Sequence, residues 1–322
     1  MTLQRRDILK LATLTAANAI LPLRAQTATP NIPIIDSHIH LFDPTRPGGV
    51  PWPEKNDTAL YKPATPARYA TLSAPFGVTG TIAIEASPLV SDNDWLLKVA
   101  AQHPIIVGII GDLVPGSPSY SADLERLHGN PLFLGIRYGN LWNRDLATDL
   151  NKPGFVDALK ALAQANLVFE SANPTPSLIA AILKVAERVP NLRIVVDHLP
   201  NAQLPDQAGR AHYTSLLGEL ASHPNVFVKL SEIPVLVNGK LMTDPHYYQA
   251  RLDTLWDIFG EDHVLFGSDW PNSDHVAPFA QTLSIVRTYI STKKPAAAEK
   301  YYWKNSIAAY RWHPRRPDQP TA

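Results

Sequence analysis

IIDSHIH, residues Ile34–His40, is the stretch that decides the fold and places a candidate site. Its apolar and β-branched residues are typical of a short buried strand. In an extended chain residues i and i+2 point to the same face, so His38 and His40 form a chelating pair suited to a divalent transition metal. About 230 residues later a second apolar strand, Val264–Ser268, ends in front of Asp269. We expect these two strand ends to meet and to form a metal site or a proton-transfer site.

The composition is that of an ordinary globular protein, with 45% hydrophobic and 18% charged residues in 322. The 29 basic residues balance the 29 acidic residues, so nothing favours a nucleic-acid partner. The chain has no cysteine, which excludes disulfides and thiolate metal sites. Any metal ion must therefore be held by histidine and carboxylate. We expect a small-molecule substrate, and a homo-oligomeric state is left open.

The first 25 residues have the layout of an export signal rather than of a folded element. Arg5 and Arg6 precede a mildly apolar stretch, Leu11–Leu23, as in twin-arginine signals. The stretch is too short for a membrane span. We expect cleavage after Ala25, a periplasmic mature protein and no membrane association after signal removal. The alternative is a cytosolic N-terminal helix with an Arg-Arg pair by chance.

After this segment, short apolar runs alternate with longer segments of helical character. The predicted strands are Ile34–His40, Thr81–Glu85, Ile105–Gly111, Leu132–Arg137, Leu167–Glu170, Arg193–His198, Val226–Leu230 and Val264–Ser268. The predicted helices are Asn93–Gln102, Asp123–His128, Gly154–Gln164, Ser177–Val189, Tyr213–Ser222, His246–Phe259 and Val276–Ser291. Eight such units predict one (β/α)8 TIM barrel over residues 26–322, of α/β class. The proline-rich residues 42–70 would form a long loop over its mouth, and Ala296–Tyr310 a final helix outside it.

Polar residues stand at the end of every predicted strand. They are His38, His40, Glu85, Asp112, Arg137, Glu170, Asp197, His198, Lys229, Ser231, Ser268 and Asp269. In a parallel barrel the carboxyl ends of the strands converge on one face, where active sites lie. So many ionisable groups would be costly to bury without a use. The sequence therefore predicts one functional site at this face.

Several of these residues have more than one interpretation. Glu85 could bind metal, accept a hydrogen bond from a substrate hydroxyl or form a salt bridge at the rim. Arg137 could hold a substrate carboxylate or carbonyl in its planar fork, or pair with Glu170. His198 could bind metal, polarise a carbonyl or be a satisfied core histidine. Lys229 could act as an electrophile or bind a carboxylate.

The motifs together resemble the amidohydrolase superfamily, in its "amidohydrolase 2" branch of TIM-barrel hydrolases. That branch includes sugar lactonases and pyrone-dicarboxylate lactonases. The resemblance covers residues 34–310. The matching motifs are Asp36–His40 in the first strand, Gly135–Arg137 in the fourth, Val196–His198 in the sixth, and Gly267–Pro271, with its Ser-Asp-Trp-Pro sequence, at the end of the eighth.

The resemblance implies roles for the converging residues. His38, His40 and Asp269 would hold one divalent metal ion, zinc before manganese; in metal-independent members the histidines contact substrate instead. Asp269 would deprotonate the attacking water, and His198 would lie near the scissile carbonyl. The expected substrate contacts are Arg137, Lys229, Glu85, Glu170 and Trp270.

The chain departs from the superfamily pattern at two strands. The fifth strand ends in Glu170, where members that bind two metals carry histidine. The fourth strand presents Arg137, where many members carry a bridging lysine or glutamate. We therefore expect one metal ion or none, and not a binuclear site.

The resulting hypothesis is hydrolysis of a lactone in a small, anionic sugar acid or aromatic-degradation intermediate. The attacking water would be activated by the metal and Asp269. Two alternatives remain at this point. One is a zinc-dependent non-oxidative decarboxylase on the same barrel, and the other is an exported binding protein without catalytic activity.

Overall fold

The computed structural model describes residues 32–202 and 206–321. These residues belong to one compact unit built around an eight-stranded parallel sheet. The strands are β1 (Ile34–His40), β2 (Val78–Ile84), β3 (Ile106–Gly111), β4 (Phe133–Arg137), β5 (Val168–Ser171), β6 (Arg193–Val196), β7 (Val226–Leu230), the exposed hairpin strands β8 (Leu236–Val237) and β9 (Lys240–Leu241), and β10 (Val264–Phe266). The predicted export signal, residues 1–25, lies outside the described residues.

The sheet closes into a cylinder, which confirms the predicted (β/α)8 barrel. Strands β1 to β7 follow one another in chain order, and β10 pairs with β7. The last contact is a parallel bridge between Ile39 and Trp270. There Asp269 N donates to His38 O at 2.8 Å, and His40 N donates to Trp270 O at 2.7 Å. A fully parallel sheet is covered on both faces, which is why these strands are apolar throughout rather than alternating.

Helices connect the strands and cover the outside of the cylinder. They are α1 (Pro66–Ser73), α2 (Val90–Gln102), α3 (Tyr120–His128), α4 (Leu146–Asp149), α5 (Phe155–Gln164), α6 (Pro176–Arg188), α7 (Gln207–Ala221), α8 (His246–Phe259), α9 (Phe279–Ile290), α10 (Pro295–Glu299) and α11 (Asn305–Tyr310), with a π-helical turn at Lys300–Lys304. Short 3₁₀ turns occupy Ala74–Phe76, Leu199–Asn201 and Asn272–His275. Within the described ranges, no helix has the length and apolar character needed to cross a membrane.

Three boundaries differ from the sequence prediction for identifiable reasons. Helix α1 begins inside the predicted loop 42–70, because Thr65 caps it by accepting a hydrogen bond from Arg68 N and a proline occupies its first turn. Strands β6 and β10 end two residues early. His198, the last residue of the predicted sixth strand, has a φ of 54°, and Asp269, just beyond the predicted eighth strand, has a φ of 59°. This left-handed conformation is incompatible with continuing a strand.

The C-terminal segment also differs from a single helix outside the barrel. It is split into α10, the π-helical turn and α11. The carbonyl of Ala309 accepts a hydrogen bond from Arg193 Nε at the start of β6, so this end of the chain lies at the amino-terminal edge of the strands. From there the buried hydroxyl of Tyr310 donates to Glu170 Oε2 at 2.6 Å. The segment thus contributes a polar side chain to the barrel interior.

The side chain of Asp36 connects β1 to the segment that follows β10. One carboxylate oxygen accepts from Ser268 N at 2.8 Å and from His38 N at 3.2 Å; the other accepts from Tyr69 OH at 2.7 Å. Burial raises the pKa of Asp36, and the hydrogen bonds from Ser268 and Tyr69 oppose that shift. The carboxylate therefore depends on its donors for stability inside the barrel.

We predict that Tyr69→Phe destabilises the fold because it removes a donor from this buried carboxyl. The expected loss in the free energy of unfolding is about 1–3 kcal/mol, measured by urea denaturation. Tyr247→Phe is the matched control: Tyr247 is 50% exposed, and its change should stay within about 0.5 kcal/mol. Equal unfolding midpoints for Tyr69→Phe and the wild type would refute a stabilising role for this bond.

Candidate active site

Four of the predicted site residues meet at the carboxyl ends of β1, β6 and β10. The Nε2 atoms of His38 and His40 lie 3.2 Å apart. Asp269 Oδ1 lies 3.2 Å from His40 Nε2, 3.4 Å from His38 Nε2 and 3.9 Å from His198 Nε2. His198 and Asp269 share the left-handed backbone conformation noted above, which is costly for residues other than glycine and is concentrated at functional sites. One carboxylate oxygen therefore faces three imidazoles.

The electrostatic environment of His38 and His40 favours their neutral form. Burial lowers the pKa of His38 and of His40 well below the usual range, since a buried imidazolium loses its hydration. Nearby positive charge acts in the same direction, from Lys229 on His38 and from Arg137 on His40. Neutral imidazole is the form that binds metal ions.

Asp269 experiences the opposite shift. Burial, followed by the neighbouring carboxylate of Glu232, raises the pKa of Asp269 well above the usual range. Asn272 Nδ2 donates to Asp269 Oδ2 at 2.7 Å and opposes that shift. A carboxyl whose proton affinity is raised in this way is suited to accept and return a proton.

The donor set fits a divalent transition metal. The candidate ligand atoms of His38, His40 and Asp269 all lie within 4.8 Å of one another. Asp269 Oδ1 is buried, and within residues 32–202 and 206–321 it has no hydrogen-bond partner. Two imidazole nitrogens and a carboxylate oxygen are ligands that zinc accepts. The candidate ligand atoms of His198, Glu232 and Asp269 also lie within 4.8 Å of one another, so the acceptors extend beyond the predicted trio.

Glu232 is a site residue that the sequence interpretation missed. It follows β7 directly after Ser231, and its φ of 49° places it in the left-handed region. Its Oε1 accepts a hydrogen bond from Asn272 Nδ2 at 3.1 Å, the same amide that serves Asp269. The available signal was its position one residue beyond a strand end already recognised as polar.

A cavity of about 310 Å³ opens above this cluster. It has the size of a small-ligand site and combines apolar walls with a few polar groups. Its lining consists of His40, Trp52, Ala86, Arg137, Leu141, Trp142, Ala172, Asn173, His198, Glu232, Asp269 and Asn272. Trp52 comes from the long loop after β1, and its ring lies 5.5 Å from the ring of His40. Trp52, Trp142 and Asn173 were not among the predicted site residues.

Arg137 lines the cavity but is already paired with Glu85. Its Nε donates to Glu85 Oε1 at 2.7 Å, and its Nη2 donates to the Glu85 carbonyl at 2.8 Å. The indole N–H of Trp142 lies 3.2 Å from Glu85 Oε2. The rival pairing considered from the sequence, Arg137 with Glu170, is therefore replaced by Arg137 with Glu85. Glu85 thereby orients two residues of the cavity wall.

Lys229, Glu170 and Trp270 do not line the cavity. Lys229 is 0% exposed, and its Nζ lies 2.8 Å from Glu170 Oε1, 3.0 Å from Asp197 Oδ1 and 3.0 Å from His38 Nδ1. Trp270 is also 0% exposed and packs against Tyr69 and Arg68. Substrate contact, expected for these three residues, does not fit this arrangement because each is enclosed by protein groups.

The closed parallel barrel carries a histidine–aspartate centre at the carboxyl ends of its strands, the face at which barrel enzymes have their active sites. A family model described as Amidohydrolase matches residues 35–312. The chain therefore belongs to the amidohydrolase family, which confirms the family suggested by its motifs.

Two relatives and one solved protein illustrate the similarity. An L-fucono-1,5-lactonase of Burkholderia ambifaria is 32% identical over 246 residues, covering 74% of this chain and 80% of the relative. An L-fucono-1,5-lactonase of Burkholderia multivorans is 25% identical over 287 residues, covering 85% and 94%. The fold resembles that of an amidohydrolase of Burkholderia multivorans, which was solved in two forms. The form with bound HEPES has a TM-score of 0.77 and 20% sequence identity, and the form with bound zinc has a TM-score of 0.76 and 21% identity. Both alignments cover 87% of this chain and 100% of the solved chain.

Proposed function

We propose that this enzyme hydrolyses the ester bond of a sugar-acid lactone. The position of Asp269 Oδ1 carries the proposal: this buried carboxylate oxygen has no hydrogen-bond partner among the described residues, and it stands between three imidazoles at the floor of a cavity. Such a group is placed to take a proton from water held in that cavity. Similarity to two proteins named L-fucono-1,5-lactonase supports a lactone as the ester.

The proposed reaction uses one water and one proton acceptor. The water oxygen attacks the lactone carbonyl carbon while its proton passes to Asp269. Arg137 and His198, which line the cavity, stabilise negative charge on the carbonyl oxygen; Ser231 Oγ, 2.8 Å from Nδ1, holds the ring of His198. The ring C–O bond then breaks, and Asp269 returns the proton to the leaving alkoxide. The product is an open-chain hydroxy acid.

We propose His38, His40 and Asp269 as the ligands of one divalent cation, with zinc as the first candidate. When bound, such an ion would supply Lewis acidity and would lower the pKa of a coordinated water towards neutral pH. The chain's own contribution is independent of that ion: neutral imidazoles, an acceptor carboxylate and a cavity that is walled by two tryptophans.

We propose a neutral polyhydroxylated lactone as the substrate, in contrast to the anionic one expected from the sequence. Among the described residues that line the cavity, Arg137 is the only lysine or arginine, and Glu85 balances its charge. Asn173, Asn272 and Glu232 offer partners for hydroxyl groups. The two tryptophans offer flat apolar faces for the ring carbons. A free carboxylate on the substrate would lie near the acidic side chains of Glu232 and Asp269, while the charge of Arg137 is already balanced by Glu85.

A panel of esters tests the proposed reaction. We expect 1,5-lactones of neutral sugar acids to be opened with one proton released per ester bond and no CO2, followed in a pH-stat. Lactones that carry an additional carboxylate should be turned over more slowly. Release of CO2 from aromatic acids would support the decarboxylase instead. If no member of the panel turns over, the lactonase proposal fails.

The pH dependence of hydrolysis tests the pairing of Asp269 with Glu232. The reaction needs ionised Asp269, so kcat/KM should fall as the pH drops through the raised pKa of Asp269. Glu232→Gln removes a negative charge that disfavours ionisation. The pKa of Asp269 should then decrease, and the acid limb of the kcat/KM profile should move to lower pH.

The matched control for that change is Glu219→Gln, on the exposed face of α7, which should leave the profile in place. An acid limb that does not move in Glu232→Gln, or that moves to higher pH, would contradict the proposed coupling.

We also propose that the mature enzyme works in the periplasm after removal of residues 1–25. The twin arginines and the apolar stretch behind them support this location. Amino-terminal sequencing of protein recovered from the periplasm tests it: a first residue at Gln26 supports the proposal, and recovery of the full-length chain from the cytoplasm contradicts it.

A further inference from the structure

A second cavity adjoins the cavity of the candidate active site. Its volume is about 400 Å³, compared with about 310 Å³ for the first cavity. Glu232 and Asn272 line both cavities, and Asn272 Nδ2 donates a hydrogen bond to Glu232 Oε1 at 3.1 Å. These two side chains therefore form the boundary between the cavities. The space beyond them is large enough for a group of the size that the first cavity holds.

Two anchored segments form the walls of the second cavity. On one side lies the segment that leads into the β8–β9 hairpin, and the buried side chain of Tyr248 holds it by accepting a hydrogen bond from Val235 N at 3.2 Å. On the other side lies the 3₁₀ turn Asn272–His275. There His275 Nε2 lies 2.9 Å from Oδ2 of Asp57, which belongs to the long loop after β1. Both walls are therefore fixed by contacts with other parts of the barrel.

The polar part of the lining is suited to pairing with hydroxyl groups. It consists of Glu232, Asn272, Ser273 and His275. Ser273 is only 7% exposed, and its Oγ has no hydrogen-bond partner among the described residues. A buried hydroxyl without a partner is unfavourable, and a ligand hydroxyl in this cavity would remove that cost.

The rest of the lining is apolar, and the cavity offers no cation. The apolar residues are Pro234, Val235, Leu236 and Val276, of which Leu236 is 46% exposed. None of the described residues that line the cavity is a lysine or an arginine, so nothing there favours a carboxylate or a phosphate. A plain alkyl chain would cover the apolar wall but would leave the Ser273 hydroxyl without a partner. A sugar ring fits both parts, because it combines hydroxyl groups with carbon–hydrogen faces.

We propose that the second cavity binds a neutral sugar residue joined to the lactone, which makes the lactone of a disaccharide acid the substrate class. This inference rests on the proposed lactonase function. The lactone ring occupies the first cavity, and the second ring lies beyond Glu232 and Asn272. Ser273 Oγ binds one hydroxyl of the second ring, and Leu236 contacts its carbon–hydrogen face. Water opens the ester bond as before, and the glycosidic bond stays intact.

A paired set of substrates tests this inference in the wild-type enzyme. The set contains the 1,5-lactones of gluconic, galactonic and fuconic acids, each alone and with a second hexose on O2, O3 or O4. We expect kcat/KM for at least one substituted lactone to exceed that of its unsubstituted parent by about tenfold or more. If parents are hydrolysed at least as efficiently as every substituted lactone, the inference is overturned, while the proposed lactonase function stands.

Binding of the corresponding reducing sugars tests the second cavity independently of hydrolysis. These sugars are uncharged and lack the ester bond, so calorimetric titration reports on the cavities alone. We expect at least one disaccharide to bind about tenfold more tightly than its reducing-end monosaccharide. If no lactone of either kind is hydrolysed, the proposed reaction fails and this titration decides on the second cavity. Equal or weaker binding of every disaccharide would overturn the inference.

The variant Ser273→Ala locates the second ring. We expect the ratio of disaccharide to monosaccharide affinity to fall about three- to tenfold, because one hydrogen bond to the second ring is lost. Ser284→Ala, on the exposed face of α9, is the matched control and should leave the ratio unchanged. A wild-type ratio in Ser273→Ala, or an equal fall in the control, would contradict the placement of the second ring in this cavity.

Discussion

The backbone hydrogen bonds between the end of β1 and the segment after β10 are the contacts on which the site depends. They close the barrel, and they also set the register between the His-x-His pair and Asp269. Asp36 reinforces the same junction by bridging Ser268 and Tyr69. Closure of the barrel therefore also assembles the candidate active site, because the same hydrogen bonds do both.

The second constraint is the concentration of ionisable groups inside the barrel. Burying an unpaired charge is expensive, and breaking one partner of a buried ion pair typically costs about 3–5 kcal/mol. Inside the barrel, buried basic side chains are paired with acidic ones, at two depths. Near the cavity, Arg137 is matched by Glu85; below it, Lys229 is matched by Glu170 and Asp197. Among the described residues Asp269 Oδ1 has no hydrogen-bond partner and lies on the cavity side of the cluster, and this is where we place the chemistry.

Much of this arrangement could be predicted from the sequence because parallel strands deliver their carboxyl ends to one face. His38, His40, His198 and Asp269 follow from that rule alone. The rule says nothing about how deep a side chain lies. Lys229 stands at the end of a strand like the others, yet it points beneath the cavity and binds Glu170 there. Its partner was not predictable, since several charges of opposite sign converge within a few ångströms.

The residues that escaped prediction come from irregular segments. Trp52 and Trp142 lie in long connections without periodicity, so their approach to the cavity depends on loop conformation rather than spacing. Trp142 has a φ of 57° and is anchored by its indole N–H to Glu85, a contact that requires the folded barrel. Glu232 was also missed because it lies in an irregular segment just beyond β7. Its left-handed backbone conformation is not described by the alternation of residues in a strand. These loop residues line the cavity, which is why the sequence pattern indicated the reaction class better than the ligand.

The most direct test of the central claim, that Asp269 accepts the proton of the attacking water, is single-site replacement with substrate binding measured separately. For Asp269→Asn, the account predicts that kcat for a sugar-acid lactone falls by about 10²- to 10⁴-fold, while the dissociation constant of the lactone stays near the wild-type value. Asp253→Asn, on the outer helix α8, serves as the matched control and should retain full turnover. An Asp269→Asn enzyme with near-normal kcat would contradict the account and remove Asp269 from the reaction.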